Sequence, residues 1–590
     1  MRILFDCCDK FYKKPSGTIV PGEFCVLQMR IPAQIQTVSA ELILHCDRTG
    51  EDRAVPFALH AREDDYELWR CEFSIDAPDL YFYWFVIMTK NERFRLFRYG
   101  AHDTNIEDGE KWQLSCVSDR YAAPDWARGA VLYQILPDRF CRAGQCDCKD
   151  KLQPYTVHER EDEPVCWQPD ESGKVLNNDF YGGNFAGITE KLPYLASLGV
   201  GVVYLNPIFM AYSSHRYDTC DYKRVDPMLG TDADFQRLCE RAHELGIRVV
   251  LDGVFSHTGS NSVYFDRFGI FGNGAYSNPD SPYRSWYEFQ QYPDRYTCWW
   301  DFETLPCVRE LEESYVNYII EDEDSVVAKW IGLGADGFRL DVADELPDAF
   351  IARLRRRLRE LKPDSLLLGE VWEDASNKIA YSVRRRYFVD GELDGVMNYP
   401  WRAAIIRFCR GEDDGTELQK AIETLAEHYP KQVLDCVMNL ISSHDVSRAI
   451  TELAAPFSGT REQMAAHRLS PEQRSEGICR LKLAAALQYA LPGMPAIYYG
   501  DEAGMEGCKD PFNRAFYPWG REDRSLVDYY KLLGKLRKES KALRLGDISV
   551  LRAGGGSITI LRRYGEETAE ITVSARERVW TINGEQHEIG

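Results

Sequence analysis

The chain lacks a long uninterrupted hydrophobic run. Its N-terminus, Met-Arg-Ile-Leu-Phe-Asp-Cys-Cys, turns polar after three apolar residues, so it does not have the apolar core of a secretory signal. The most apolar later stretch, 481–500, is interrupted by Lys482, Gln488, Pro492 and Pro495. It is too broken to span a bilayer. We therefore expect neither a signal peptide nor a membrane segment.

The chain also has fewer basic than acidic residues. Lys and Arg number 71 against 93 Asp and Glu, which gives a net charge of −22 with His neutral. This balance argues against nucleic acid or an anionic membrane surface as a partner. The chain shows no internal repeat and no low-complexity linker. A neutral substrate needs no electrostatic steering, so the charge is compatible with one.

The cysteines do not suggest a disulfide framework. Eighteen of them are scattered over 590 residues, as expected for reduced thiols in a cytoplasmic protein. One local cluster, Cys141, Cys146, Cys148 and Cys166, raises the alternative of a soft-metal site. Its spacing is not a standard zinc pattern, so we expect free thiols there.

The two ends of the chain differ from its middle. Residues 1–125 lack helical periodicity and contain aromatic and β-branched runs such as 80–87, which predict an antiparallel β-sandwich. Residues 521–590 predict a helix followed by a small all-β domain. The intervening residues, 126–520, alternate strand-like and helix-like segments, which predicts an α/β domain with a parallel sheet.

Eight strand-like runs occur in that middle part, the number that a closed parallel barrel requires. They are 131–136, 201–208, 248–255, 335–342, 366–371, 394–399, 438–444 and 495–500. Segments of helical period lie between them, for example 232–245, 346–361 and 472–491. Residues 258–320 are rich in Gly, Tyr, Trp, Asn and Pro and predict an inserted subdomain after the third strand. The predicted fold is a (β/α)8 TIM barrel with this insertion.

Three of the runs lead to an acidic residue. Asp341 ends Gly-Phe-Arg-Leu-Asp, Glu370 follows Leu-Leu-Leu-Gly, and Asp445 ends Asn-Leu-Ile-Ser-Ser-His-Asp. A carboxylate at the end of a buried strand has no packing reason to be there, and all strand C-termini of such a barrel open onto one face. Converging carboxyl groups suggest cleavage of a glycosidic bond, which needs one ionised and one protonated carboxyl.

The motifs at the strand ends occur in barrel order. They are Val131-Leu-Tyr-Gln-Ile-Leu-Pro-Asp-Arg-Phe140, Asp179-Phe-Tyr-Gly-Gly-Asn184, Ser213-Ser-His-Arg-Tyr-Asp218, Asp252-Gly-Val-Phe-Ser-His257 and Gly337-Phe-Arg-Leu-Asp341, followed by Glu370 and the pair His444-Asp445. This set resembles the α-amylase family of glycoside hydrolases, and within it the neopullulanase, cyclomaltodextrinase and maltogenic amylase group. The resemblance covers nearly the whole chain and is weakest in the last seventy residues.

The resemblance implies roles for individual residues. Asp341 matches the nucleophile, Glu370 the general acid/base, and Asp445 the acid that grips substrate hydroxyls and favours the transition state. Arg339 lies two residues before Asp341, on the same side of the strand, where a guanidinium lowers the pKa of the carboxyl. The apolar neighbours of Glu370 favour its neutral form.

The predicted substrate-binding residues are six. The resemblance assigns His257 and His444 to hydrogen bonds with the sugar, and Tyr217 to an aromatic platform beneath it. Arg339, Trp372 and Arg448 complete the set. The implied partner is an α-glucan oligosaccharide, and the implied reaction is double displacement with retention.

No cofactor is expected. Many relatives bind Ca²⁺ through oxygen ligands after the first strand and an Asn before the third-strand histidine. Here Ser256 takes the Asn position, Asn184 stands where an acid is common, and 141–148 is short of Asn and Asp ligands.

Several alternatives stay open at this stage. The same site could belong to a transferase, such as a branching or trehalose-forming enzyme, or more remotely to a non-catalytic glucan-binding protein. The preference for α-1,4 or α-1,6 bonds and the share of transglycosylation are not decided by the motifs. In the group, the N-terminal domain often forms a dimer, so the resemblance implies a homodimer through residues 1–125.

Overall fold

The computed structural model describes residues 2–100, 102–118, 122–171 and 173–589. Two compact units are present. The first takes residues 1–122 together with two later segments, 373–394 and 416–434, and the second takes the remainder. Each is described by itself below.

The first unit is built on two antiparallel sheets. Aromatic and aliphatic residues alternate with polar ones along these strands, and the alternate positions form one core that includes Phe5, Tyr83, Phe85 and Trp112. The strands of the first sheet lie in the order Lys13–Lys14, Phe24–Pro32, Tyr66–Ser74 and Ala58–Glu63. Those of the second sheet lie in the order Asp52–Pro56, Thr37–Cys46, Asp79–Thr89, Arg93–Tyr99 and Asp103–Ile106. The strand Trp112–Cys116 also pairs with Asp79–Thr89. The later segments add a hairpin, Ile379–Ala380 with Val383–Arg384, and the helices Thr416–His428 and Lys431–Leu434.

The second unit contains an eight-stranded parallel sheet. Its strands are β1 (Val131–Ile135), β2 (Val200–Leu205), β3 (Arg248–Gly253), β4 (Gly337–Leu340), β5 (Leu366–Gly369), β6 (Gly395–Val396), β7 (Met438–Leu440) and β8 (Met494–Tyr498). The sheet order is β6-β5-β4-β3-β2-β1-β8-β7, and a parallel bridge between Met397 and Met438 joins its two ends. The predicted barrel is confirmed, with every strand at the predicted place along the chain.

The helices follow from apolar periodicity and capping. In Asp232–Glu244 the buried residues recur every three or four positions, and Thr231 forms a capping box with Asp234. The α-helices of this unit are Phe185–Ser197, Asp232–Glu244, Glu313–Val316, Val326–Gly332, Asp348–Leu361, Tyr399–Cys409, Ala449–Ala454, Arg461–Ala466, Pro471–Ala490, Arg524–Glu539 and Lys541–Leu545. Glu313–Val316 continues into a π-helical turn, Asn317–Glu321. Within the described parts of the chain, no helix is both long and apolar enough to cross a membrane.

Two further regions complete the second unit. In the predicted insertion, regular structure before the helix at Glu313 consists of the short hairpin Phe289–Gln291 with Arg295–Tyr296 and two 3₁₀ turns. The C-terminal residues form a five-stranded antiparallel meander of Asp547–Gly554, Ser557–Tyr564, Glu567–Ser574, Val579–Ile582 and Glu585–Glu588. The all-β C-terminal region is therefore confirmed.

Candidate active site

The C-terminal ends of neighbouring barrel strands bring four carboxyl groups to one face. Asp252 lies near the end of β3, Asp341 directly follows β4, Glu370 directly follows β5, and Asp445 lies beyond the end of β7. Asp252, Asp341 and Glu370 are buried, whereas the side chain of Asp445 keeps 29% of its surface exposed. This convergence of Asp341, Glu370 and Asp445 is what the sequence predicted.

A single guanidinium connects three of these carboxyls. Arg339 Nη1 donates to Asp252 Oδ1 and to Asp341 Oδ1, each at 2.9 Å, and its Nη2 donates to Glu370 Oε2 at 2.6 Å. Arg339 is completely buried. Its planar fork therefore fixes Asp341 and Glu370 as neighbours.

Glu370 has two further donors. The Val342 backbone N–H donates to Oε2 at 2.9 Å, and Trp372 Nε1 donates to Oε1 at 3.0 Å. Val342 is left-handed, with φ 35° and ψ 66°, an unusual conformation for a β-branched residue. The Trp372 ring lies parallel to Tyr399 with 3.8 Å between centroids, yet 45% of Trp372 is exposed. Trp372 thus presents an aromatic surface beside the carboxyl that it holds.

Two carboxyls of this cluster have raised pKa values. Burial raises the pKa of Asp252, and burial together with the charges of Glu370 and Asp252 raises the pKa of Asp341 well above its ordinary value. Arg339 lowers the pKa of Asp341 but offsets only part of this effect. The sequence predicted that Arg339 would hold this pKa down, whereas burial raises it. Because Arg339 is one cation beside both groups, full ionisation of Asp252 and Asp341 together is unfavourable.

Tyr217 and His444 form a stacked pair beside the carboxyls. Their rings are 5.3 Å apart and 5° from parallel, and the Tyr217 hydroxyl contacts both His444 Nε2 and Asp252 Oδ2. His444 Nδ1 is 2.9 Å from Gln134 Nε2. Burial and the nearby arginines hold the pKa of His444 well below its usual range. The imidazole is therefore neutral.

His257 is also placed at the carboxyl face of the barrel. Its Nε2 lies 3.2 Å from the Tyr217 carbonyl oxygen and its Nδ1 lies 3.1 Å from Ser256 Oγ. Burial lowers the pKa of His257 to about 4. The Trp299 ring of the insertion lies 5.7 Å from the His257 ring, so residues of the insertion reach this site.

Asp445 carries an unsatisfied atom. Its Oδ1 lies 3.3 Å from His444 Nε2, whereas its buried Oδ2 has no hydrogen-bond partner among the described residues. Burial and the charge of Glu370 raise the pKa of Asp445 to about 7. An unpartnered buried carboxylate oxygen is costly unless a ligand supplies a donor.

The structure places Arg448 away from these groups. Arg448 is completely buried, donates to the carbonyl oxygens of Asn513 and Tyr499, and pairs with Asp501 at 3.4 Å. Its guanidinium also lies 4.1 Å from the centre of the Tyr498 ring. These contacts organise the loop after β8. The predicted contact of Arg448 with a substrate stays a prediction.

The four cysteines singled out in the sequence do not form one group. In the described ranges, the groups of three or more candidate metal ligands are Asp6 with Cys7 and Cys8, and His158 with Cys166 and Asp179. Cys148 Sγ contacts Met228 Sδ, and Cys146 Sγ accepts from Asn184. A metal site made of the four thiols is therefore contradicted.

The match to a family model decides the classification. Residues 134–525, which include Asp252, Asp341, Glu370 and Asp445, match the model of the alpha amylase catalytic domain. The chain belongs to the α-amylase family. The resemblance found in the sequence is confirmed.

Named members of the family align over most of the chain. Amylopullulanase from Thermoanaerobacter thermohydrosulfuricus is 34% identical over 626 residues, covering 95% of this chain and 41% of the relative. The chain thus spans less than half of that protein. A cyclomaltodextrinase from Geobacillus thermopakistaniensis (strain MAS1) is 31% identical over 79% of this chain and 74% of the relative. The type III pullulan hydrolase of Thermococcus kodakarensis has a similar structure, with a TM-score of 0.67, 26% identity and coverage of 98% and 95% of the two chains.

Sequence reasoning left three site residues without a role. Asp252 shares Arg339 with the catalytic candidates, Tyr204 donates to Asp252 Oδ2 at 2.6 Å, and Tyr399 supports Trp372. Asp252 could have been found, because it also ends an apolar run. Tyr204 and Tyr399 read as core aromatics, and only the fold shows which way their rings face.

Proposed function

We propose that this chain hydrolyses α-glucosidic bonds in maltooligosaccharides, cyclodextrins or pullulan, mainly α-1,4 bonds, by double displacement with retention. The names of the family members that align with it support this substrate class. Retention requires two carboxyl groups about 5–5.5 Å apart. Asp341 and Glu370, bound by the two terminal nitrogens of one guanidinium, meet the need for adjacent carboxyls.

Asp341 is the proposed nucleophile and Glu370 the proposed acid/base. The observation that carries the assignment is the fork of Arg339 between them. Asp341 attacks the anomeric carbon while Glu370 protonates the leaving oxygen, and Glu370 then deprotonates the water that releases the glycosyl group. For this reaction Glu370 must enter as the acid and Asp341 as the carboxylate.

The remaining residues hold the sugar. The unpartnered Oδ2 of Asp445 accepts a hydrogen bond from a substrate hydroxyl, and Tyr217 and Trp372 provide aromatic surfaces. Neutral His257 and His444 bind the same sugar ring when a sugar hydroxyl replaces one of their present hydrogen-bond partners. Arg339 acts as a positioning residue, since it is completely buried and donates to Asp252, Asp341 and Glu370.

A product profile tests this function. Wild type and Asp341→Asn are incubated with maltotriose, β-cyclodextrin, pullulan and panose. We expect maltose, glucose or panose from the wild type, and a loss of turnover of at least roughly a thousandfold in the variant. Products longer than the substrate would indicate the transferase alternative. Binding without turnover by the wild type would indicate a glucan-binding protein and refute the proposal.

We also propose that activity does not depend on calcium. The Asn184 amide is occupied, since Oδ1 accepts from the Gly187 N–H at 2.8 Å and Nδ2 donates to the Ala143 carbonyl at 2.8 Å. Ser256 faces His257. Pre-incubation with EGTA should leave at least about nine-tenths of the initial rate. A loss that added Ca²⁺ restores would contradict this.

We also propose a cytoplasmic location and a homodimer, and different observations support the two proposals. All eighteen cysteines are free, which fits a reducing cytoplasm. A homodimer through the N-terminal sheets remains our proposal from the family resemblance. Light scattering that gives the mass of two chains would support it, and the mass of one chain at micromolar concentration would remove it.

A further inference from the structure

A second cluster of metal-ligating side chains lies outside the carboxyl site. The loop between β1 and the helix Phe185–Ser197 brings together His158, Cys166 and Asp179, and one ligand atom of each lies within 4.8 Å of the other two. His158 and Asp179 are buried, whereas Cys166 is exposed. The proposed hydrolysis uses none of the three residues.

We propose that His158 Nε2, Cys166 Sγ and a carboxylate oxygen of Asp179 form a binding site for a soft divalent transition ion such as Zn²⁺. Nitrogen, sulfur and one carboxylate oxygen are the ligand types that Zn²⁺ takes. The separation between His158 Nε2 and Asp179 Oδ2 is 3.1 Å. Two ligands at zinc bond lengths in a tetrahedral arrangement lie about 3.3 Å apart, so these two atoms are already spaced for one ion, which would replace the proton between them.

The histidine is held in the orientation that the site needs. Glu163 Oε2 lies 3.1 Å from His158 Nδ1, the arrangement of carboxylate, imidazole and metal in which the outer carboxylate fixes the ring. The Tyr181 ring stacks on His158 at 4.1 Å, and its hydroxyl donates to the Glu163 carbonyl at 2.6 Å. The imidazole is therefore clamped with Nε2 directed at Asp179.

The surroundings select the class of ion. Arg139 Nη2 lies 3.4 Å from Asp179 Oδ2, so it offsets one of the negative charges that the thiolate and the two carboxylates bring to the site. Ca²⁺ and Mg²⁺, which depend on several oxygen ligands, are disfavoured. Cys166 is exposed and also lines a small cavity with Asp179, His215 and Arg514, so solvent reaches this ligand. A zinc ion held by three protein ligands takes water as its fourth.

Zinc titration of the reduced, chelator-treated full chain tests the proposal. Competition with a chromogenic chelator should show one Zn²⁺ bound with micromolar or tighter affinity. His158→Gln and Cys166→Ser should each weaken binding at least roughly tenfold, and Glu163→Gln about 10–100-fold. Cys146→Ser is the matched control, because it removes a thiol of the same loop outside the cluster, and it should bind as the wild type does.

Cobalt gives an independent readout. Co²⁺ in place of Zn²⁺ should produce a thiolate-to-metal absorption band that Cys166→Ser abolishes and Cys146→Ser retains. Equal zinc affinity in wild type, His158→Gln and Cys166→Ser would overturn the proposal. Zinc binding that is lost only in Cys8→Ser would also overturn it, because the ion would then lie at the Asp6–Cys7–Cys8 group. Maltooligosaccharide hydrolysis is measured in parallel, so failure of either proposal is seen separately.

Discussion

At the scale of single residues, the site contains interactions that destabilise the folded protein and that a bound substrate would relieve. Asp445 is the clearest example, since its Oδ2 is buried without a partner and its pKa is raised to about 7. A carboxyl whose pKa is raised by folding binds a proton more tightly in the folded state. Its contribution therefore makes the folded state less stable as the pH rises from about 4 to about 7.

This predicts a pH-dependent gain in stability for Asp445→Asn. Above pH 7 the variant avoids the cost of an ionised, poorly solvated carboxyl, so its free energy of unfolding should exceed that of the wild type by about 1–2 kcal/mol; partial exposure of the side chain keeps this gain small. Below pH 4 the difference should vanish. Thermal melts at pH 4 and pH 8 check this, and equal melting temperatures at pH 8 would contradict it. Activity of the variant should be lost at both pH values.

Individual site residues also show what the pattern of acids at strand ends can predict. Asp341, Glu370 and Asp445 were found because an acid that follows a buried strand is unusual, and Asp252 satisfies the same rule. Arg448 was also predicted to bind substrate, and in the structure its guanidinium lies against the Tyr498 and Tyr499 rings.

At the scale of elements, the catalytic groups depend on how closely β4 and β5 approach. Gly337, at the start of β4, has φ 157°, and a Cβ there would lie 2.0 Å from the Leu366 carbonyl oxygen. Leu366 is the partner of Gly337 in the sheet. The strand that carries Arg339 and leads to Asp341 therefore requires glycine at this position.

We expect Gly337→Ala to lower the free energy of unfolding by about 3 kcal/mol or more, because the clash is with backbone that cannot rotate away. Catalytic rate should fall with it, as Arg339 is displaced. Gly332→Ala is the matched control, since nothing lies within 4 Å of the added Cβ and no positive φ opposes it. Denaturant unfolding of the two variants should differ clearly, and equal stabilities would contradict this account of the strand pair.

Element limits were predicted less well than element order. The run 394–399 predicted six strand residues, but β6 spans only Gly395–Val396. Asn398 caps the next helix by accepting from the Trp401 N–H at 3.2 Å, and Pro400 occupies its first turn. Those are helix-start signals. A helix start inside an apolar run is hard to recognise, because a buried strand and the buried first turn of a helix have the same composition.

At the scale of the whole molecule, chain order and compact units do not coincide. Residues 373–394 and 416–434 lie inside the barrel sequence but belong to the unit with the N-terminal sheets. Within that unit, Lys13 and Glu427 form a buried ion pair, with side-chain exposures of 0% and 5%. The Gly17 N–H donates to the other Glu427 oxygen at 2.8 Å. No local pattern predicts this pairing, because the partners are over 400 positions apart.

Removing one partner of that pair should be costly. Glu427→Ala leaves the Lys13 ammonium buried without its counter-charge, and we expect a loss of about 3–5 kcal/mol of unfolding free energy. Glu63→Ala removes the half-exposed partner of Arg30 in the same unit and should cost less than about 1 kcal/mol. Thermal melts of both variants measure the contrast. A Glu427→Ala melting point equal to that of Glu63→Ala would show that the buried pair adds nothing.

The most direct test of the central claim is the covalent intermediate on Asp341. Glu370→Gln is mixed with α-maltosyl fluoride, whose leaving group needs no acid, and the intact protein and its peptides are weighed by mass spectrometry. The account predicts a gain of one maltosyl unit on the peptide that contains Asp341, because attack displaces fluoride and no base remains to activate water. Rapid fluoride release without an adduct, or an adduct on another residue, would contradict the assignment.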